Sequence, residues 1–154
     1  MRKPLLAAAV LLVLLLALTA CGGSAVRGEA PFAQVTSWRL EGEQLEMLLR
    51  LRNVNDAELA VEAVDLTVQL DGEPLLSLRQ EVDVTIPATG FESLRLSGPV
   101  STAGAGQLAR LEAGEFASLP FLIDGRLETT GDGALDLRRE GRIYPMPGRP
   151  GEFR

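Results

Sequence analysis

Between Gln44 and Arg52 the sequence QLEMLLRLR puts Leu45, Met47, Leu49 and Leu51 on one side of an extended chain and Glu46, Leu48, Arg50 and Arg52 on the other. Successive side chains of a strand point to opposite faces, so apolar residues at every second position make a half-buried strand. A helix would scatter the same residues around its axis. The pattern recurs. Val64, Leu66, Val68 and Leu70 alternate with Asp65, Thr67 and Gln69 in a strand over 59–70, and Asp71-Gly72 then supplies a hairpin turn. Leu75 to Leu78 and Glu81 to Ile86 continue it, with Val82, Val84 and Ile86 on one face. Phe32 to Leu40 is a first strand, with Val35 and Trp38 inward, and Phe91 to Leu96 is a fifth, after the turn Pro87-Ala88-Thr89-Gly90.

One interval departs from this rhythm. STAGAGQLARLEAG, residues 101–114, sets Leu108 and Leu111 three apart among alanines, with Ser101 or Thr102 as N-cap and Gly114 as the C-terminal stop. It predicts one short helix, although Gly104 and Gly106 weaken its first turn. Strand character returns over 119–130 and continues over 133–139, and 141–144 ends the sheet. The expected fold class is all-β: a fibronectin- or immunoglobulin-like antiparallel β-sandwich of about seven strands with one short helix. Residues 146–154 are rich in proline and glycine and are expected to form an irregular tail.

The N-terminus is of another kind. Arg2 and Lys3 precede a wholly apolar run from Leu5 to Leu18, 14 residues long. A membrane-crossing helix needs ~20 apolar residues. A positive start, a short apolar stretch and small residues at its end describe a secretory signal over residues 1–20. Leu18-Thr19-Ala20-Cys21 resembles the lipobox of bacterial lipoproteins, and Cys21 is the chain's one cysteine. That resemblance implies cleavage before Cys21 and covalent lipid on its sulfur, with no other cofactor. Residues 21–31 would then be a flexible lipidated tether, since GGSAVRGEAP is small and polar. Gly22 stands where an aspartate would retain such a protein at the inner membrane. The expected location is therefore the outer membrane of a bacterial cell envelope, facing the periplasm, with the membrane as a partner through the anchor.

Charge and composition remove whole classes of function. From Cys21 onward the chain carries 13 arginines, no lysine and 21 acidic residues, a net of −8. Phosphate backbones need cationic partners, so nucleic acid is not expected. The sequence has no histidine, hence no imidazole base or ligand. Without lysine there is no Schiff base, and a lipidated Cys21 is no nucleophile. Paired carboxylates could hydrolyse glycosides, but scattered surface acids explain them better. Gly131-Asp132-Gly133 lacks the alternating acids of a calcium loop. Gly104-Ala105-Gly106 lacks the third glycine of a dinucleotide loop. No catalytic or metal site is expected. Residues 138–154 run against the acidic trend, with five arginines and two glutamates. This end could meet anionic headgroups or an acidic partner, or simply be a solvated terminus.

LRLRNVNDAELAVEAVDLTVQLDGEPL, residues 49–75, resembles the late embryogenesis abundant type 2 family, also called the water-stress and hypersensitive-response domain. Asn53 and Asn55 match the two asparagines of its Asn-Pro-Asn turn, with Val54 in place of proline. Asp71-Gly72 matches its hairpin, 86–90 the segment before its next strand, and 122–127, with Gly125, the strand after its helix. The resemblance covers residues 32–145 and implies a fibronectin-like sandwich. Asn53 and Asn55 are expected to satisfy main-chain groups at a strand end rather than bind a ligand. The family implies a non-enzymatic protein acting in tolerance of desiccation or other water stress. Two other roles remain open: a binding or scaffold module of an envelope complex with a protein partner, and a carrier of a lipid or small apolar ligand.

Overall fold

The structure, a computed structural model, describes residues 25–154. The expected signal over 1–20, Cys21 and the first residues of the expected tether lie outside the described part. Eight strands form two antiparallel four-stranded sheets. In order they are β1 (Phe32–Glu41), β2 (Gln44–Arg52), β3 (Leu59–Leu70), β4 (Glu73–Ile86), β5 (Phe91–Pro99), the helix α1 (Thr102–Glu112), β6 (Leu119–Thr129), β7 (Gly133–Ile143) and β8 (Glu152–Phe153). The first sheet runs β5-β2-β1-β8 and the second β4-β3-β6-β7. The all-β sandwich with one helix is the fold that the alternation predicts.

The inward rows of both sheets make one core. Leu45, Met47, Leu49 and Leu51 of β2 face Leu66, Val68, Ile123 and Leu127 of the second sheet, and all are buried. Burying such a side chain gives roughly 1.5–3 kcal/mol relative to exposure. Trp38 stands edge-on to Phe121 from the other sheet, with ring centroids 5.4 Å apart and planes at 70°. This T-shaped contact ties the two layers together.

Two bulges keep the apolar residues inward. Val35 and Trp38 are three apart, so a regular strand would send them to opposite faces. The β1–β2 register shifts between Val35 and Ser37, leaving Thr36 as the extra residue. Val35 then pairs with Leu49 and Trp38 with Met47, both core positions. In β3 the register to β6 shifts between Val61 and Ala63, and the extra residue is Glu62, which points outward. Val61 and Val64 are both buried as a result.

The helix closes one end of the sandwich between β5 and β6. Ser101 is its N-cap: its Oγ accepts from the Gly104 N–H at 2.9 Å. At the other end the Glu115 N–H donates to Arg110 O and the Gly114 N–H to Leu111 O, both at 3.1 Å. Gly114 has φ of 80°, so this is a Schellman stop. Leu108 and Leu111 enter the core.

The C-terminal segment departs from expectation. Residues 146–154 do not hang free as an irregular tail but turn back. Tyr144 and Arg154 exchange backbone hydrogen bonds at 2.8 and 3.0 Å, and Met146 N–H donates to Glu152 O at 2.9 Å. Phe153 pairs with Trp38 as an added strand and is buried. Proline and glycine mark the turn correctly, but they conceal a two-residue strand anchored by one aromatic plug. The sandwich therefore runs to residue 154 rather than ending at 145. Among the described residues both sheets and the helix close around one shared core, so residues 25–154 are taken as a folding unit.

Candidate functional site

The most densely bonded polar group of the fold is the loop after β2, Asn53-Val54-Asn55-Asp56. Asn53 is fully buried, at 0 % exposure. Its Nδ2 lies near three carbonyls: Ala57 O at 2.8 Å, Pro87 O at 3.1 Å and Ile86 O at 3.2 Å. Its Oδ1 accepts from the Asn55 backbone N–H and from Asn55 Nδ2, both at 2.9 Å. Its own N–H donates to Gly90 O at 2.9 Å. One amide thus joins the end of β2 to the turn between β4 and β5. A buried carbonyl without a partner costs about 1–3 kcal/mol, so asparagine here relieves several such costs at once. An apolar residue of equal size could relieve none.

Asn55 works in the other direction. Its Nδ2 donates to Glu29 O and its Oδ1 accepts from the Glu29 N–H, both at 2.9 Å, in the manner of a strand partner. Asp56 repeats the device. Its Oδ2 accepts from the Val26 N–H at 2.7 Å, and its N–H donates to Val26 O at 2.9 Å. The expected flexible tether over 21–31 is therefore corrected in its described part, because residues 26–29 are pinned to the loop by four hydrogen bonds. Sequence reading missed Glu29 and Val26 because their attachment uses main-chain atoms, which carry no side-chain signal.

Asp71 and Gly72 form the β3–β4 hairpin, with φ of 52° and 82°. Positive φ at both central residues is the geometry Asp-Gly favours. The Asp71 N–H also reaches Pro120 O at 2.8 Å. The turn lies away from the asparagine loop, so the structure does not gather the four motif residues into one site.

Among the described residues no three acidic or other metal-ligating side chains stand close enough together to hold a metal ion. The outer face of the second sheet does collect Asp65, Asp124 and Asp136 around a shallow hollow over Gly125. Arg126 and Arg138 lie between these acids, with Arg126 3.8 Å from Asp65 and Arg138 3.8 Å from Asp124. Such a cross-strand ladder neutralises itself. On the same face Arg79 holds Glu128 in a two-pronged pair, with Nη2 to Oε2 at 2.8 Å. The hydrogen bond and then the charge of Arg79 lower the Glu128 pKa below its ordinary value, while Glu128 raises that of Arg79. These groups are locked as ions and are poor proton donors or acceptors near neutrality. Among the described residues no helix is long and apolar enough to cross a membrane.

The asparagine loop, the Asp-Gly hairpin and the strand after the helix stand in the order of the family that the sequence resembles. The LEA_2 family, late embryogenesis abundant protein, matches residues 48–141, more than half of the chain. The chain belongs to this family. Two solved structures share the fold. AT1g01470 from Arabidopsis thaliana has a TM-score of 0.59 at 10 % identity, over 86 % of this chain and 91 % of that one. The late embryogenesis abundant protein At2g46140.1 has a TM-score of 0.51 at 12 % identity, over 79 % and 74 %. Among curated proteins, none matches the sequence. Within the LEA_2 match fall the asparagine loop, the hairpin and Gly125, all of which serve the architecture.

Proposed function

We propose that this LEA_2 protein is non-enzymatic, is anchored by lipid on Cys21 in a bacterial envelope, and acts in tolerance of water loss. The family match over residues 48–141 carries this reading. The lipobox-like Leu18-Thr19-Ala20-Cys21 supports the anchor, and Gly22 supports the outer membrane facing the periplasm. The pinned residues 26–29 give the anchor a short reach. Val26 stands five positions after Cys21, a span of at most roughly 18 Å. The domain would then sit against the bilayer rather than roam from it. An acidic, hydrated sandwich held there in numbers would keep neighbouring proteins apart as water leaves, by like-charge repulsion and excluded volume.

Drying tests the protective half of this reading. A labile enzyme is dried with residues 25–154 or with an unrelated β-sandwich of equal size and charge, and recovered activity is compared. Greater recovery with this domain is expected, and equal recovery would remove shielding as the mechanism. Cys21→Ser tests the anchor separately. Loss of labelled fatty acid from the protein is expected, and retained label would place the lipid elsewhere.

A further inference from the structure

The arginines of this acidic protein divide into two groups. Seven are within ion-pair distance of a carboxylate: Arg39, Arg79, Arg95, Arg110, Arg126, Arg138 and Arg149. Among the described residues the remainder form no such pair. Five of that remainder lie together although they come from distant parts of the sequence. Arg50, Arg52 and Arg139 line one hollow of about 540 Å3, beside Phe32 and Phe91. Arg142 and Arg154 line a second of about 570 Å3, beside Tyr144. Gln34 belongs to both, so the hollows adjoin along the β1 edge. No acidic residue lines either one.

Two exposed aromatics sit at one end of this strip. Phe32 and Phe91 are 70 % and 58 % exposed, and both pair with Arg52 across the strands. Arg50 stacks on Phe91, its guanidinium carbon 3.8 Å from the ring centroid. Arg142 bonds only the neutral Ser118, through Oγ at 2.8 Å and O at 3.1 Å. A chain with so many acids has left five cations unneutralised on one face, among rings left in water.

We infer that the strip formed by Arg50, Arg52, Arg139, Arg142 and Arg154, with Phe32 and Phe91, docks the domain on the anionic phospholipid headgroups of a bilayer. Arginine forks match phosphate oxygens, and aromatic rings suit the headgroup boundary. Acidic residues on the other faces do not cancel the attraction, because at physiological salt their field is screened beyond ~8 Å. The inference does not depend on the Cys21 anchor, since the strip belongs to the domain itself.

Vesicle sedimentation with residues 25–154, which carry no lipid, separates it from that reading. Binding to phosphatidylcholine vesicles containing phosphatidylglycerol is expected to exceed binding to pure phosphatidylcholine by about tenfold or more. Arg50→Gln with Arg139→Gln should weaken it about 25-fold, at roughly fivefold per arginine. Arg95→Gln with Arg126→Gln, the same charge change outside the strip, should weaken it far less. Equal losses in the two pairs would reduce the effect to net charge and overturn the inference. Phe32→Ser with Phe91→Ser should weaken binding without altering its salt dependence. Displacement by inorganic phosphate at matched ionic strength would assign the strip to a free phosphate. Tighter binding of polyglutamate than of vesicles would assign it to an acidic protein. Either result overturns the bilayer.

Discussion

Asn53 Oδ1 accepts two hydrogen bonds from Asn55, one from its backbone N–H and one from its side-chain amide, each at 2.9 Å. The shared oxygen fixes both amides in one orientation. Asn53 then faces inward to the β4–β5 turn, and Asn55 faces outward to Glu29.

Asn53→Ala is therefore expected to destabilise the domain by about 3 kcal/mol, because it strands buried carbonyls as well as Asn55. Urea unfolding would measure it. A loss below about 1 kcal/mol would mean that water replaces the amide freely.

Asn55→Ala should act locally. Global stability falls less, but the segment around Glu29 comes loose, and Arg27 within it becomes a site for trypsin. Cleavage after Arg27 is expected to be faster in the variant under native conditions. Equal rates in the two proteins would show that the segment is not held by this side chain.

Two glycines of α1, two residues apart, should respond to alanine with opposite signs. A Cβ on Gly104 would lie 2.8 Å from Leu75 Cα, whereas Gly106 has open space. Gly104→Ala should cost about 1–3 kcal/mol by pushing the helix off β4. Gly106→Ala should stabilise by about 1 kcal/mol through helix propensity. Thermal melts of the two variants on either side of the parent would confirm the close approach, and shifts of the same sign would refute it.

Gly125 of β6 makes a tighter approach. A Cβ there would meet the backbone of Asp65 and Leu66 on β3 well inside contact distance. Gly125→Ala should cost about 3 kcal/mol, since main chain cannot swing aside as a side chain can. A melt unchanged from the parent would contradict this geometry.

The Arg79–Glu128 pair predicts a pH response. Arg79 lowers the folded pKa of Glu128 below the ordinary 4.5. The folded state thus favours the ionised carboxyl, so the contribution is full above about 4.5 and disappears as pH falls through the lowered value. Glu128→Gln should lie slightly below the parent in Tm at neutral pH and converge with it on acidification. The gap is small because both groups are solvated. A gap that widens with acid would reverse the sign and refute the pairing.

How far the sequence disclosed this molecule follows from where each signal resides. Gln44–Arg52 declared its face through alternation, and Ser101 with Gly114 bracketed the helix by cap chemistry. The C-terminal strand was hidden because Glu152–Phe153 is too short to show a period and lies among prolines and glycines that signal only turns. The pinned segment was hidden because Val26 and Glu29 attach through main chain. The arginine strip was hidden for another reason. Residues 50, 52, 139, 142 and 154 meet only once β1 and β7 face each other across the sandwich edge, and no linear motif records that meeting. The acidic total even pointed away from it.

Thr36, the extra residue of the β1 bulge, sets where this strand can change length over evolutionary time. On its N-terminal side Val35 is matched to Leu49, and on its C-terminal side Ser37 is already matched to Leu48. Removing Thr36 would splice two correctly facing halves into one regular strand, with Val35 and Trp38 both still inward. Removing Ser37 instead would do the same, with Thr36 taking its place opposite Leu48, whereas removing a residue on either side of this pair would turn one half over and carry its apolar row into water. Among relatives, one-residue insertions and deletions in this strand should therefore collect at positions 36 and 37, a point where the polypeptide can gain or lose a link without losing its inside.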